Sequence, residues 1–453
     1  MRIEMERTNS GTASRQVQEK KNTPKEFVVR RIRVRELDFS ESTHMRDHSL
    51  FVNRKELSDI LLEDRSIARV ELAIARPGES KRIIPVKDVI EPRCKYSQGQ
   101  DAFPGFFADA DFPSGQGETL VLEGVNVVTS GRMVNFQEGL IDMSGPGAEY
   151  SLFSGKLNLV LLIEPVEGLG KHEHERAVRI AGLKAAHYLA SSVLETRWDE
   201  EQRFPVNSLA DLYREFPDLP RVVYVCQAIA QGLLHDNYFY GLNAKGCLPV
   251  LMNPTELMDG AVISGNCAAP CHKHTTYHHQ NNPIVEDLLR EHGRRINFLG
   301  VIVPPVRTAL AEKERIGYQV LKLAQMLGAD GAIISEDGGG NPEADLMIVT
   351  RHFERNGIRS VIITDEYAGS DGASPGLADV TPEADAVVTN GNGNQKVKLP
   401  PMDETLGFIE AIDHITGGHE GSLLPDGSIE MEIAGIMGST NELGIENLRT
   451  VAI

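Results

Sequence analysis

Aromatic residues are scarce in this chain: they make up 6% of its 453 residues, with a single tryptophan. Cysteine is scarcer still. The five, Cys94, Cys226, Cys247, Cys267 and Cys271, are an odd number spread over a long chain. Such a set excludes a disulfide scaffold and points to a reducing, cytoplasmic compartment. No run of about 18 apolar residues occurs, so no membrane-spanning helix is expected. Basic residues number 46 against 65 acidic ones, a formal net charge of −19. That balance argues against nucleic acid or an anionic membrane as a partner. No CxxC pair and no HExxH pattern is present, and nothing repeats with the period of a solenoid.

What is present is an ordinary globular composition, 41% hydrophobic and 25% charged, at a length sufficient for two or three cores. Residues 1–26 are polar, lack the apolar segment of a secretory signal, and are expected to be a disordered extension. From 27 to 117 short β-rich runs alternate with turns (FVVRRIRVREL, SLFVNR, ARVELAIA, KRIIPV), which predicts a small β-rich region. From 118 to 266 the pattern is α/β: TLVLEGVNVVTSG and LNLVLLIEPVEG read as buried strands, and HEHERAVRIAGLKAAHYLASSVLE as a helix. From 267 to 453 strands and helices alternate plainly. NFLGVIVPP, DGAIISEDGGG, IRSVIITDEYAG and ADAVVTNGNGN are short apolar strands ending in Gly/Asp/Asn-rich loops, with EKERIGYQVLKLAQMLG and DLMIVTRHFERNG as intervening helices. The expected fold is therefore α/β, with layered, largely parallel sheets and ligands at the carboxyl ends of strands.

The oddest stretch is GAVISGNCAAPCHKHTTYHHQNNP, residues 260–283. It holds Cys267, Cys271, His272, His274, His278 and His279 within thirteen residues. Thiolate and imidazole are the ligands zinc prefers, so a zinc-binding α/β protein is one reading. Against it, no second ligand pair stands at finger or ribbon spacing. The other reading turns on Asn266-Cys267, preceded by Ser264 and Gly265. A thiol can attack the carbonyl carbon of the residue before it, and nearby glycine allows the strained backbone this requires. Elimination from the resulting thioester, then tautomerisation and hydrolysis, leaves an N-terminal pyruvoyl group. Thr275, Thr276, His278 and His279 are close in sequence and able to move protons. The plain alternative is an inert buried thiol beside loop-capping histidines.

GAVISGNCAAPC with TTYHHQNNP resembles the processing region of the component B proprotein of glycine, sarcosine and betaine reductases. RIIPVKDVIEPR (82–93), FQEGLIDMSGPGAEY (136–150), EPVEGLGKHEHE (164–175), QGLLHDNYFYG (231–241), DGAIISEDGGGNPEADL (330–346), VIITDEYAGSDGAS (361–374) and GSIEMEIAGIMGSTNELG (427–444) are similar to that family, in order. The D-proline reductase proprotein is a more distant likeness. The resemblance implies a precursor split between Asn266 and Cys267, with Cys267 becoming a pyruvoyl cofactor. It implies Cys271, Thr275, Thr276, Tyr277, His278 and His279 as the surrounding site. The substrate amine would form a Schiff base with the pyruvoyl carbonyl, and a selenocysteine-containing component B subunit would attack the adjacent carbon. A selenoprotein carrier and an acetyl-phosphate-forming component would take the product. The sequence departs from the family's expected pattern at AAPCHKH, where His272 and His274 are additions that keep a metal option open. A pyruvoyl-dependent decarboxylase, sharing the cofactor and acting alone, is the alternative enzyme.

Four further groups are weighed. Glu164, Glu167, His172 and His174 fall at a predicted strand end and helix start, where acids favour the helix N-terminus. His235 and Asp236 are expected to cap a loop. The loop GGGNPEAD (338–345) offers backbone N–H groups to an anion, yet lacks the Lys-Ser/Thr of a phosphate loop and the GxGxxG of a dinucleotide site. Asp365, Glu366, Gly369 and Gly372 read as turn residues first and ligands second.

Overall fold

The computed structural model describes residues 25–97, 100–107, 113–232, 237–265 and 268–444. It is an α/β protein built on several sheets. The expected helices form at Lys171–Ser191, Leu310–Met326 and Glu343–Arg355. The expected C-terminal strands form at Asn297–Val303, Gly331–Ser335, Arg359–Glu366 and Val387–Asn392.

Two expectations need correction. TLVLEGVNVVTSG is not one strand. It breaks at Gly124, whose φ of +92° favours glycine, and where a Cβ would stand 2.7 Å from the Val34 carbonyl oxygen. Gly117–Glu123 and Val125–Gly131 consequently enter different sheets. Nor is pairing largely parallel throughout. Around the strand Lys81–Ile90, the neighbours Val125–Gly131 and Gly139–Asp142 both run antiparallel. Parallel neighbours need long crossovers, usually helical, and among the described residues few helices fall before residue 221.

The sheet that positions the site is the exception. Its parallel strands Arg221–Cys226, Asn297–Val303, Gly331–Ser335, Arg359–Glu366 and Val387–Asn392, numbered 1 to 5 along the chain, lie in the spatial order 2-1-3-4-5. Val250–Met252 adds an antiparallel edge. Alternation along the first strand explains the layering: Val223 and Val225 pack with residues of helices Leu310–Met326 and Glu343–Arg355, including Val320, Leu346 and Phe353. Tyr224 and Cys226 face the opposite way, with Leu257, Val285 and Leu288 of helices Pro254–Asp259 and Pro283–Glu291. In this doubly wound order the chain reverses between strands 1 and 3, and the crevice beyond their carboxyl ends is where ligands bind. Cys226 and Ser335 are the paired last residues there. Among the described residues, no helix is long and apolar enough to cross a membrane.

Candidate active site

The short helix Thr276–Gln280 is anchored at its first turn. The Thr275 side chain accepts from the His278 N–H at 3.3 Å, and His278 Nδ1 accepts from the Thr275 N–H at 3.2 Å. This reciprocal cap satisfies two orphan donors. Thr276 donates from its N–H (3.0 Å) and its hydroxyl (2.7 Å) to the Asp88 carboxylate, and its hydroxyl accepts from the Ser264 N–H at 3.2 Å. Tyr277 meets Phe153 edge-on at 5.4 Å inside the core. Asp88 therefore fixes both this helix and the chain leading to residue 265. Replacing it by alanine strands two buried donors, at about 1–3 kcal/mol each. Asp88→Ala is expected to lower the urea midpoint with an unchanged m-value; a midpoint equal to wild type contradicts this anchoring role.

On the other side, residues 270–271 are held by the backbone of the 434–440 segment. Gly438 N–H donates to the Pro270 carbonyl (2.8 Å), Cys271 N–H to the Ala434 carbonyl (3.1 Å), and Thr440 N–H to the Cys271 carbonyl (3.1 Å). Asn266 and Cys267 lie outside the described residues, as do His235 and Asp236. The placed neighbours are Gly265, whose carbonyl accepts from the Ser264 hydroxyl at 3.1 Å, and Ala268, which is buried.

Cys271 sits in a closed network. Its Sγ is 2.9 Å from the Tyr367 hydroxyl and 3.5 Å from His272 Nδ1. His272 Nδ1 is 3.2 Å from Asp365 Oδ2, which also accepts from the Thr440 hydroxyl at 2.6 Å. Gly339 donates its N–H to His272 Nε2 at 3.0 Å. Burial disfavours the imidazolium of His272, whereas Cys271, Asp365 and Glu442 act the other way and favour it. The Gly339 donor opposes that, since it needs a lone pair on Nε2. We assign the neutral Nδ1–H form, because a protonated Nε2 would face that N–H head on. Burial, with Cys271 and Asp365 beside it, pushes the Tyr367 phenol well up, so its hydroxyl keeps its proton.

His274 and His279 are fully buried and behave differently. None of their four ring nitrogens has a hydrogen-bond partner, and burial pushes both pKa values down to about 3. Glu442 is buried with no hydrogen bond to either carboxylate oxygen, and burial pushes its pKa well above the usual range. Glu336, after the strand Gly331–Ser335, is shifted the same way for the same reason, with Glu343 adding to it.

A cavity of about 470 Å³ opens beside this network, lined by Ala268, Ala269, His272, Tyr367 and the glycines 338–340. A larger one, about 700 Å³, lies against Tyr277 and His278 but touches neither Cys271 nor His272.

Of the eight residues singled out in the sequence, Asn266 and Cys267 lie outside the described residues, and the other six divide. Cys271 joins the buried hydrogen-bond network, His279 is buried with no hydrogen-bond partner on its ring, Thr275 and His278 build the helix cap, Thr276 ties the helix to Asp88 and Ser264, and Tyr277 joins the core. Asp365, expected mainly as a turn residue, is a buried partner of His272, and Tyr367, Thr440 and Glu442 were not singled out at all. The signal that locates Asp365 and Tyr367 is their place at a carboxyl strand end. The glycine loop offers no free anion cradle at two of its N–H groups: Gly339 serves His272, and Gly340 donates to Glu343 Oε1 at 2.7 Å. His172 and His174 lie in the first turn of helix Lys171–Ser191, and Glu164 pairs with Arg69 at 3.4 Å.

Comparison with known proteins identifies the lineage. Residues 26–451 match the family model of glycine/sarcosine/betaine reductase component B subunits. The chain belongs to that family. It is 47% identical to glycine reductase complex component B subunits alpha and beta of Acetoanaerobium sticklandii, over 93% of this chain and 98% of that protein. It is 45% identical to the sarcosine reductase complex component B subunit alpha of Peptoclostridium acidaminophilum, over 92% and 97%. The D-proline reductase proprotein of Acetoanaerobium sticklandii is 21% identical, over 73% of this chain and 52% of that protein. No solved structure matches. These component B relatives are parts of reductase complexes, and the sequence resemblance to them spans nearly the whole chain.

Proposed function

We propose that this chain is the self-processing, substrate-binding precursor subunit of a glycine/sarcosine/betaine-type reductase, split between Asn266 and Cys267 to leave a pyruvoyl group. The supporting observation is that one continuous chain matches, nearly end to end, a relative named for two subunits, alpha and beta. A proprotein name among the distant relatives agrees with that. The surroundings suit a three-carbon keto group preceding Ala268: a cavity borders Ala268, and the neutral Tyr367 hydroxyl and His272 line it. A carbonyl there would supply an electron sink for a conjugated substrate amine. The chain's own contribution is positional. The Cys271–His272–Asp365 network fixes the wall of the cavity, and bonds to Thr276 and to the 434–440 segment hold the chain on both sides of the cleavage point.

Intact-mass analysis of purified protein is expected to give fragments 1–266 and 267–453, the second reactive to hydrazines and blocked to Edman degradation. A single unmodified chain from a host carrying the complete reductase system would rule the reading out. The chain contains neither selenocysteine nor a CxxC pair to supply two electrons. A selenocysteine-containing component B subunit, a selenoprotein carrier and an acetyl-phosphate-forming component are therefore its proposed partners. The isolated chain is expected to bind a substrate amine without reductive turnover, and deamination by it alone would remove the need for those partners.

A further inference from the structure

We propose that Cys226, His274 and His279 form a buried zinc site at the reversal point of the doubly wound sheet. One thiol and two imidazole groups lie there with ligating atoms all within 4.8 Å of one another. The imidazole rings stand nearly perpendicular, 87° apart, with centroids 5.7 Å from each other. Ligand atoms around tetrahedral zinc lie roughly 3.3–3.6 Å apart, given Zn–N near 2.05 Å and Zn–S near 2.3 Å. Small side-chain rotations close that difference.

The decisive observation is what these rings lack. Both histidines are at 0% exposure, and every ring nitrogen is without a hydrogen-bond partner. Buried polar groups are almost always paired, and each unpaired one costs about 1–3 kcal/mol. A cation accepting a lone pair from each ring removes that cost. Glu442 Oε2 stands 3.7 Å from His274 Nε2 and Asp337 Oδ1 4.0 Å from His274 Nδ1. Ligating histidines characteristically pass their second N–H to a carboxylate, and a carboxylate can also complete the coordination. Charge also balances: a divalent ion offsets the Cys226 thiolate and one buried carboxylate, and its binding displaces the thiol proton.

Two other clusters of suitable groups among the described residues lack buried, unpartnered ring nitrogens. Cys271, His272 and Asp365 are as close together, but their polar atoms are already engaged by Tyr367, Gly339 and Thr440. Cys94, Asp101 and His187 include a surface pair, His187 Nε2 at 3.1 Å from Asp101, with ordinary solvent access. Nitrogen and sulfur donors in a closed, buried setting favour zinc over the oxygen-seeking divalent ions.

The test is metal analysis of the full-length protein after dialysis into metal-free buffer, with about one zinc per chain expected. Cobalt substitution should give visible bands of four-coordinate cobalt together with a thiolate charge-transfer band. Cys226→Ser should lose the charge-transfer band and Cys271→Ser should keep it; His274→Ala and His279→Ala should lose the metal. X-ray absorption on the wild-type zinc protein needs no variant, and should show one sulfur near 2.3 Å among nitrogen neighbours. Zinc far below stoichiometry with no cobalt uptake by the metal-free protein, a shell lacking sulfur, or a charge-transfer band that follows Cys271 overturns the assignment.

Discussion

Cys267→Ala is expected to yield one intact, folded chain with no carbonyl reactivity, whereas Cys271→Ser still splits at least in part. The reason lies in the unlike chemistry required of the two residues. Cleavage before residue 267 needs a side-chain nucleophile on that residue, and alanine has none. The fold does not depend on it, since the chain on either side is anchored independently, through Thr276 and Asp88 upstream and through Ala434, Gly438 and Thr440 downstream. Cys271 instead closes a network with Tyr367 and His272. Serine there keeps a hydroxyl for Tyr367, so the cavity wall is loosened and processing slows. Gel analysis, intact mass and hydrazide labelling of both variants decide the matter. Cleavage that persists in Cys267→Ala would defeat the pyruvoyl reading, and equal behaviour of the two variants would assign them a common structural role.

The second large effect concerns the split protein. Fragments 1–266 and 267–453 are expected to stay together in native buffer and to separate only where the fold itself unfolds. Strand Arg221–Cys226 belongs to the first fragment, yet both its neighbours, Asn297–Val303 and Gly331–Ser335, belong to the second. Likewise Glu404–Gly407 of the second fragment pairs with Lys81–Ile90 of the first. Separation would strip both edges of a central strand and expose Val223, Tyr224, Val225 and Cys226, all fully buried. Each large apolar side chain brought into water costs about 1.5–3 kcal/mol, so dissociation and unfolding should be one transition. Size exclusion in native buffer followed by denaturing electrophoresis of the same peak tests this. Fragments that elute apart without denaturant would contradict the interleaved sheet.

Local pattern alone was enough for the α/β class, the C-terminal strand–helix alternation and the exceptional character of residues 260–283. Alternating apolar runs and helical spacing depend on neighbours a few residues apart, and a chemical oddity such as a Cys/His-dense loop is visible without coordinates. The family was legible too, because its motifs recur in order along the chain. Three things required the tertiary structure. Sheet partners follow long-range register, so the break at Gly124 and the antiparallel strands around Lys81–Ile90 could not be read from strand patterns. The division of the loop's side chains into cap, core and polar site depends on which way each one points. Finally, Cys226, Asp365 and Glu442 lie far from the loop in sequence, and only the tertiary fold, the doubly wound sheet for the first two and the C-terminal segment for Glu442, carries them to His272, His274 and His279. Chain spacing had argued against a metal because no second ligand pair was nearby in sequence; burial and unpaired ring nitrogens reopened the question, since a ligand set is defined by distance in space.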